Sequence, residues 1–104
     1  IQLSHAGRKG SADSPWLTDR HLTNEQGGWE TKAPSSEQFD ESHLWKVPKE
    51  LSIEQILEIQ ENFKKAAQRS VEAGFQAIEI HAGNGYLIHQ FYSPLTNKRN
   101  DQYG

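Results

Sequence analysis

Residues 81–91 read His-Ala-Gly-Asn-Gly-Tyr-Leu-Ile-His-Gln-Phe, so His81, Asn84 and Tyr86 put an imidazole, a carboxamide and a phenol close together in the chain. Gly83 and the Asn84-Gly85 pair favour a sharp turn, because Asn and Gly tolerate the left-handed backbone that tight turns use. Such a turn would carry two hydrogen-bond donors beside a proton donor. That set suits a reaction that builds negative charge on an oxygen and then protonates a neighbouring carbon. From spacing alone His81 fits two roles, a hydrogen-bonded structural histidine and a catalytic one. Other chemistries are poorly served. His81 and His89 miss the i,i+4 helical spacing of zinc-binding histidines and the chain has no Cys, so no metal site is expected. Gly83-Asn84-Gly85 is too short for a dinucleotide phosphate loop, which uses three spaced glycines opening a helix. His5, His21 and His43 have no partners at informative spacing and read as ordinary surface or loop histidines.

Two neighbouring elements would position this turn. Ser52 with Gln55 three residues on forms a capping-box pattern, and from Ile53 the residues Ile56, Ile59 or Gln60, Phe63, Ala67 and Val71 recur at helical spacing. This predicts a helix over 53–73, with Glu61 and Lys65 as an i,i+4 pair and Gly74 as its left-handed stop. Phe75 to His81 then reads as a strand, with Ile78 and Ile80 on one face and Ala77, Glu79 and His81 on the other. A helix joined to a strand by one glycine is half of an α/β repeat, and His81 would stand at the strand's carboxyl end, where parallel α/β folds bind ligands. Ile1 to His5 is the other candidate strand. Between them, Ala6 to Leu51 is polar and broken by Pro15, Gly27-Gly28, Pro34 and Pro48. Its tryptophans, Trp16, Trp29 and Trp45, argue for an ordered excursion pinned by aromatic side chains and holding a short hairpin or helical turn.

Composition bounds the whole. The 104 residues carry 14 acidic and 11 basic side chains, which leaves a net charge of -3 and disfavours a nucleic-acid surface. The basic pairs Arg8-Lys9, Lys64-Lys65 and Lys98-Arg99 read as solvated surface charge. No apolar run approaches a membrane span and no signal peptide is visible, so the protein is expected to be soluble and cytoplasmic. Only 34% of the residues are hydrophobic and the mean hydropathy is -0.86, a thin supply for a core. Together with the absent initiator Met and a strand beginning at Ile1, this leads us to expect a piece of a larger domain.

Two blocks resemble the old yellow enzyme family of FMN-dependent NADH:flavin oxidoreductases, or ene-reductases. They are Gln2-Leu3-Ser4-His5-Ala6-Gly7-Arg8-Lys9 and the run from His81 to Gly104, HAGNGYLIHQFYSPLTNKRNDQYG. The intervening Pro15-Trp16 and Gly28-Trp29-Glu30 look most like the bacterial and fungal branch near xenobiotic reductases. The resemblance implies an α/β fold, a fragment of a (β/α)8 TIM barrel of about 250 residues or more. Residues 1–104 would be one partial domain holding the third strand, a long loop, the third helix, the fourth strand and the loop after it. The remaining barrel segments, with the phosphate-binding loops, would be needed for a complete site.

The resemblance also implies roles. Gln2 would meet the pyrimidine edge of FMN, His81 and Asn84 would donate to the substrate's carbonyl or nitro oxygen, and Tyr86 would protonate the α-carbon. NAD(P)H would be the reductant, and the second substrate an enone or nitroalkene. The parent could be a homo-oligomer. One departure stands out: the branch suggested by the loop generally carries His where this chain has Asn84, whereas the yeast-type branch carries Asn. Two alternatives accompany this reading. One is a flavin-dependent relative of dienoyl-CoA or amine type, and the other a catalytically incompetent barrel piece.

Overall fold

The computed structural model describes residues 1–104 except Asp19 and His43, so the expectation for His43 lies outside the described residues. Four strands and two α-helices follow one another among the described residues: β1 (Gln2–Leu3), β2 (Lys32–Ala33), β3 (Lys49–Glu50), α1 (Ile53–Glu72), β4 (Glu79–Ile80) and α2 (Leu87–Tyr92). β1 pairs in parallel with β4, Gln2 opposite Glu79 and Leu3 opposite Ile80. β2 pairs in parallel with β3, Lys32 opposite Lys49 and Ala33 opposite Glu50. Both pairs are α/β crossovers or long excursions, since parallel neighbours cannot be joined by a tight turn.

α1 forms where its capping pattern places it. Ser52 accepts the Gln55 backbone N–H while the Gln55 side chain accepts from the Ser52 backbone. At the other end Phe75 N–H reaches Ser70 O at 3.0 Å and Gly74 N–H reaches Val71 O at 2.9 Å, the paired bonds of a Schellman stop with Gly74 at φ +91°. The inward stripe departs from expectation at its end. Ile56, Ile59 and Phe63 continue into the half-buried Ala66 and Ala67 and then the buried Ser70, while Val71 is 63% exposed. The 3.6-residue period decides this: from Phe63 the same face is reached by either three or four steps, and β1 lies over the three-step choice, as Leu3 and His5 share a cavity with Phe63 and Ala66. Lys64 rather than Lys65 pairs with Glu61, at 3.4 Å and exposed.

The strands are shorter than expected. Glu79 N–H bonds Ile1 O, His81 N–H bonds Leu3 O and the Ile1 nitrogen donates to Ala77 O, but the ladder proper is two residues long on each side. Phe75 to Ala77 is exposed and lies outside the ladder. Beyond the turn, the expected loop holds a helix, α2, because Leu87, Gln90 and Phe91 recur at helical spacing and pack inward. Leu51, Ile56 and Leu87 form the buried core, with Ile59, Phe91 and Tyr103 against it.

The excursion is ordered, and only partly by its tryptophans. Trp45 is 7% exposed and packs edge-on against His21 and Phe39, each with ring centroids 4.7 Å away, but Trp16 is 81% exposed and pins nothing. Backbone devices do the rest: 3-10 turns at Gly7–Lys9 and Asn24–Gln26, an antiparallel bridge between Ala12 and His21, and a second capping box of Thr23 and Gln26. His21 is therefore no ordinary loop histidine. It is buried, its Nδ1 accepts Lys46 N–H at 2.7 Å and its Nε2 faces Arg8 O at 3.1 Å. Among the described residues no helix is long and apolar enough to cross a membrane.

Candidate functional site

Alternation along the parallel pair sorts its side chains. Leu3 and Ile80 turn toward cavities lined by α1, while Gln2, Ser4 and His81 line an open cleft of about 560 Å³ together with Ala6, Asn84 and Tyr86. All the residues that the sequence singles out, Gln2, His81, Asn84 and Tyr86, thus meet in one cleft at the carboxyl ends of β1 and β4.

Each is held by a definite contact. Gln2 donates through Nε2 to Glu79 Oε1 at 2.6 Å, its direct partner across the ladder. One amide N–H is thereby used, and a second N–H and the carbonyl oxygen remain. His81 ends the strand, and its Nδ1 accepts Gly83 N–H at 3.3 Å. A neutral ring engaged in this way carries its proton on Nε2, which makes that atom a donor. Asn84 at φ +56° and Gly85 at φ +74° are the central residues of a turn closed by Tyr86 N–H to Gly83 O at 3.2 Å, the φ signs of a type I′ turn. Positive φ favours Asn and also His over most side chains, so the backbone tolerates either of the two residues found at this position in the branches that the sequence resembles. The Tyr86 ring stands edge-on to His81, centroids 5.1 Å apart. The turn thus brings an N–H donor, a carboxamide and a phenol to one side of the cleft.

Of the three basic pairs read as solvated charge, Lys64-Lys65 is exposed on α1, whereas Arg8-Lys9 and Arg99 make specific contacts. Lys9 Nζ donates to Asn84 O at 3.3 Å and lies 5.0 Å from the Tyr86 ring centroid and 4.9 Å from that of Phe39. A cation so placed beside the phenol sets the local field at the cleft rim. Arg8 donates from Nη1 to Glu37 O and Gln38 O, and burial lowers its pKa while Glu37 opposes the shift. Arg99 is 4% exposed in its side chain and bonds Pro34 O, Leu51 O and Asp101. The Asp101 carboxylate raises the guanidinium's pKa and is itself lowered by it. Lys9 was hidden in the sequence because its partners lie far along the chain; its nearness to the Gln2 strand was the one available signal.

The model of the NADH:flavin oxidoreductase / NADH oxidase family matches residues 1–104. Over the whole chain the sequence is 50% identical to an NADH:flavin oxidoreductase of Gibberella zeae and 48% identical to an NADPH dehydrogenase of Listeria monocytogenes, and it covers 26% of each. It is 45% identical to an NADPH dehydrogenase of Bacillus subtilis, with the same coverage. Among solved structures, 99% of the chain superposes on morphinone reductase in complex with tetrahydroNAD, with TM-score 0.77, 30% identity and 29% of that chain covered. It also superposes on an old yellow enzyme homologue from Zymomonas mobilis, with TM-score 0.75, 33% identity and 28% covered. The chain therefore spans about a quarter of the length of the relatives it matches, and its α/β arrangement is a portion of their (β/α)8 barrel. The chain belongs to the NADH:flavin oxidoreductase / NADH oxidase family.

Proposed function

We propose that this chain supplies the substrate-facing part of an FMN-dependent oxidoreductase that uses NAD(P)H to reduce the activated C=C bond of α,β-unsaturated carbonyl or nitro compounds. The observation that carries the reading is the convergence of His81, Asn84 and Tyr86 with Gln2 in one cleft. The donor set fits a flavin edge: the Gln2 carboxamide, anchored through one N–H on Glu79, keeps an N–H and an oxygen for a ring that both accepts and donates. The chemistry that FMN supplies when bound is hydride transfer, from NAD(P)H and onto the β-carbon of the alkene.

The chain's own residues do the remainder. His81 Nε2–H and the Asn84 amide hold the carbonyl or nitro oxygen and stabilise the negative charge that grows there, a contribution worth about 2.7–4 kcal/mol for one such donor. Tyr86 then gives its proton to the α-carbon, which completes the addition of one hydride and one proton across the double bond. Tyr86→Phe in the FMN-loaded enzyme should slow alkene reduction ~10²- to 10⁴-fold and leave flavin reduction by NAD(P)H within about twofold. Stopped-flow measurement of the two half-reactions checks this, and an equal loss in both would remove Tyr86 from the role.

A further inference from the structure

We propose that Gln90 is a positioning residue that locks the turn carrying Asn84 and Tyr86 to the loop after β1, and that it acts on the chemistry through Tyr86. The proposal rests on the function proposed above. Gln90 stands on α2 and is 1% exposed, a polar side chain among the inward residues of a short helix. Its carboxamide is engaged on both ends. Nε2 donates to Gly85 O at 2.7 Å and to Ala6 O at 3.4 Å, and Oε1 accepts Arg8 N–H at 3.3 Å.

These partners belong to the two segments that must stay in register for the cleft to work. Gly85 is the residue between Asn84 and Tyr86, and Ala6 and Arg8 lie in the loop and 3-10 turn that follow the strand carrying Gln2. α2 grips Gly85 twice, since His89 Nδ1 accepts its N–H at 2.8 Å while Gln90 takes its carbonyl. With both peptide groups of Gly85 fixed, the directions of the Asn84 and Tyr86 side chains are fixed with respect to Gln2. Gly7 completes the lock. At φ +60°, a Cβ built on it would overlap Gln90 Oε1, so the backbone closes on the carboxamide where a side chain would displace it. Only an amide of this length donates to two carbonyls and accepts from an N–H at once.

A double-mutant cycle in the FMN-loaded enzyme tests the proposal. Gln90→Met keeps the volume and removes all three bonds. Alkene reduction per bound FMN should slow ~10- to 100-fold, because small misplacements of a reacting group carry penalties of that size. Flavin reduction by NAD(P)H, which takes no proton from Tyr86, should change less. On a Tyr86→Phe background the same replacement should cost at least several-fold less, since the proton it positions is gone and only the placement of Asn84 remains to be lost. Equal slowing on both backgrounds would mark a general structural role and overturn the proposal. If Gln90→Met does not load FMN, Gln90→Glu carries the same cycle, because it keeps the acceptor for Arg8 and loses the donor to Gly85. Slowing by Tyr86→Phe without slowing at Gln90 refutes the positioning role alone. A Tyr86→Phe enzyme with normal alkene reduction removes Tyr86 from the proton-donor role of the proposed function as well.

Discussion

Four described histidines share one habit: His5, His21, His81 and His89 each accept a backbone N–H at Nδ1, from Gly7, Lys46, Gly83 and Gly85. Each such bond needs an unprotonated Nδ1. For two of them the structure also resists protonation. Burial lowers the pKa of His21, Lys46 adding to the effect and the bond to Arg8 O opposing it, and burial then Lys32 lower that of His5. Below the ordinary imidazole value of about 6.5 the unfolded chain takes up protons that the folded one refuses, so stability falls as pH drops through that value and is insensitive to these groups above it. Trp45 fluorescence, reporting from 4.7 Å away, should begin to change below about pH 6.5, well above the carboxylate range near 4. His21→Gln should flatten that acid limb, and an unaltered limb would place its origin elsewhere. At this scale the sequence reveals residues whose partners are near. His81, Asn84 and Tyr86 stand in one turn, whereas Lys9 and Gln90 work across 75 to 84 residues and show only as a basic pair and a polar residue in an apolar helical repeat.

Arg99 ties the segment after α2 to the β2–β3 pair. From the segment after α2 it reaches Pro34 O beside β2 at 2.8 Å and Leu51 O between β3 and α1 at 2.7 Å, while Asp101 holds its other edge. The planar fork meets these partners together, which a single ammonium cannot do. Arg99→Lys should therefore leave a buried carbonyl unpaired and cost about 1–3 kcal/mol, read as a lowered denaturation midpoint of the FMN-loaded enzyme. Arg20→Lys on the exposed surface is the control, expected within about 0.5 kcal/mol; matched losses would mean that the fork is immaterial. Elements set by local rules were legible: α1 begins at its capping box and stops at Gly74. The excursion was not, because β2 and β3 are two-residue strands that exist only through pairing with each other, and a buried Arg99 looks in sequence like any charged pair.

Taken as a whole, the molecule is a slab, 42 × 37 × 22 Å, with a radius of gyration of 14.8 Å against about 13 Å for a closed domain of this size. Its apolar surface is arranged to match. Ile80, which faces an apolar groove of about 350 Å³ shared with Ile56, Phe63, Leu87 and Phe91, is 54% exposed. In a barrel such a groove between strand and helix is filled by the neighbouring repeat, which is how a chain with 34% hydrophobic residues can belong to a well-packed fold. The cleft follows the same logic. Gln2, His81, Asn84 and Tyr86 line one side of an open cleft; under the proposed function Gln2 would offer a flavin one edge, His81, Asn84 and Tyr86 would face the reacting side, and the other walls would come from further strands. The 104-residue chain by itself should accordingly show no stoichiometric quenching of FMN fluorescence at micromolar concentrations, whereas the protein spanning the full length of its relatives should bind FMN in one-to-one ratio. Tight stoichiometric binding by the short chain would mean that β1, β4 and the turn already enclose the cofactor, and would overturn the assignment of the remaining walls to the rest of the barrel.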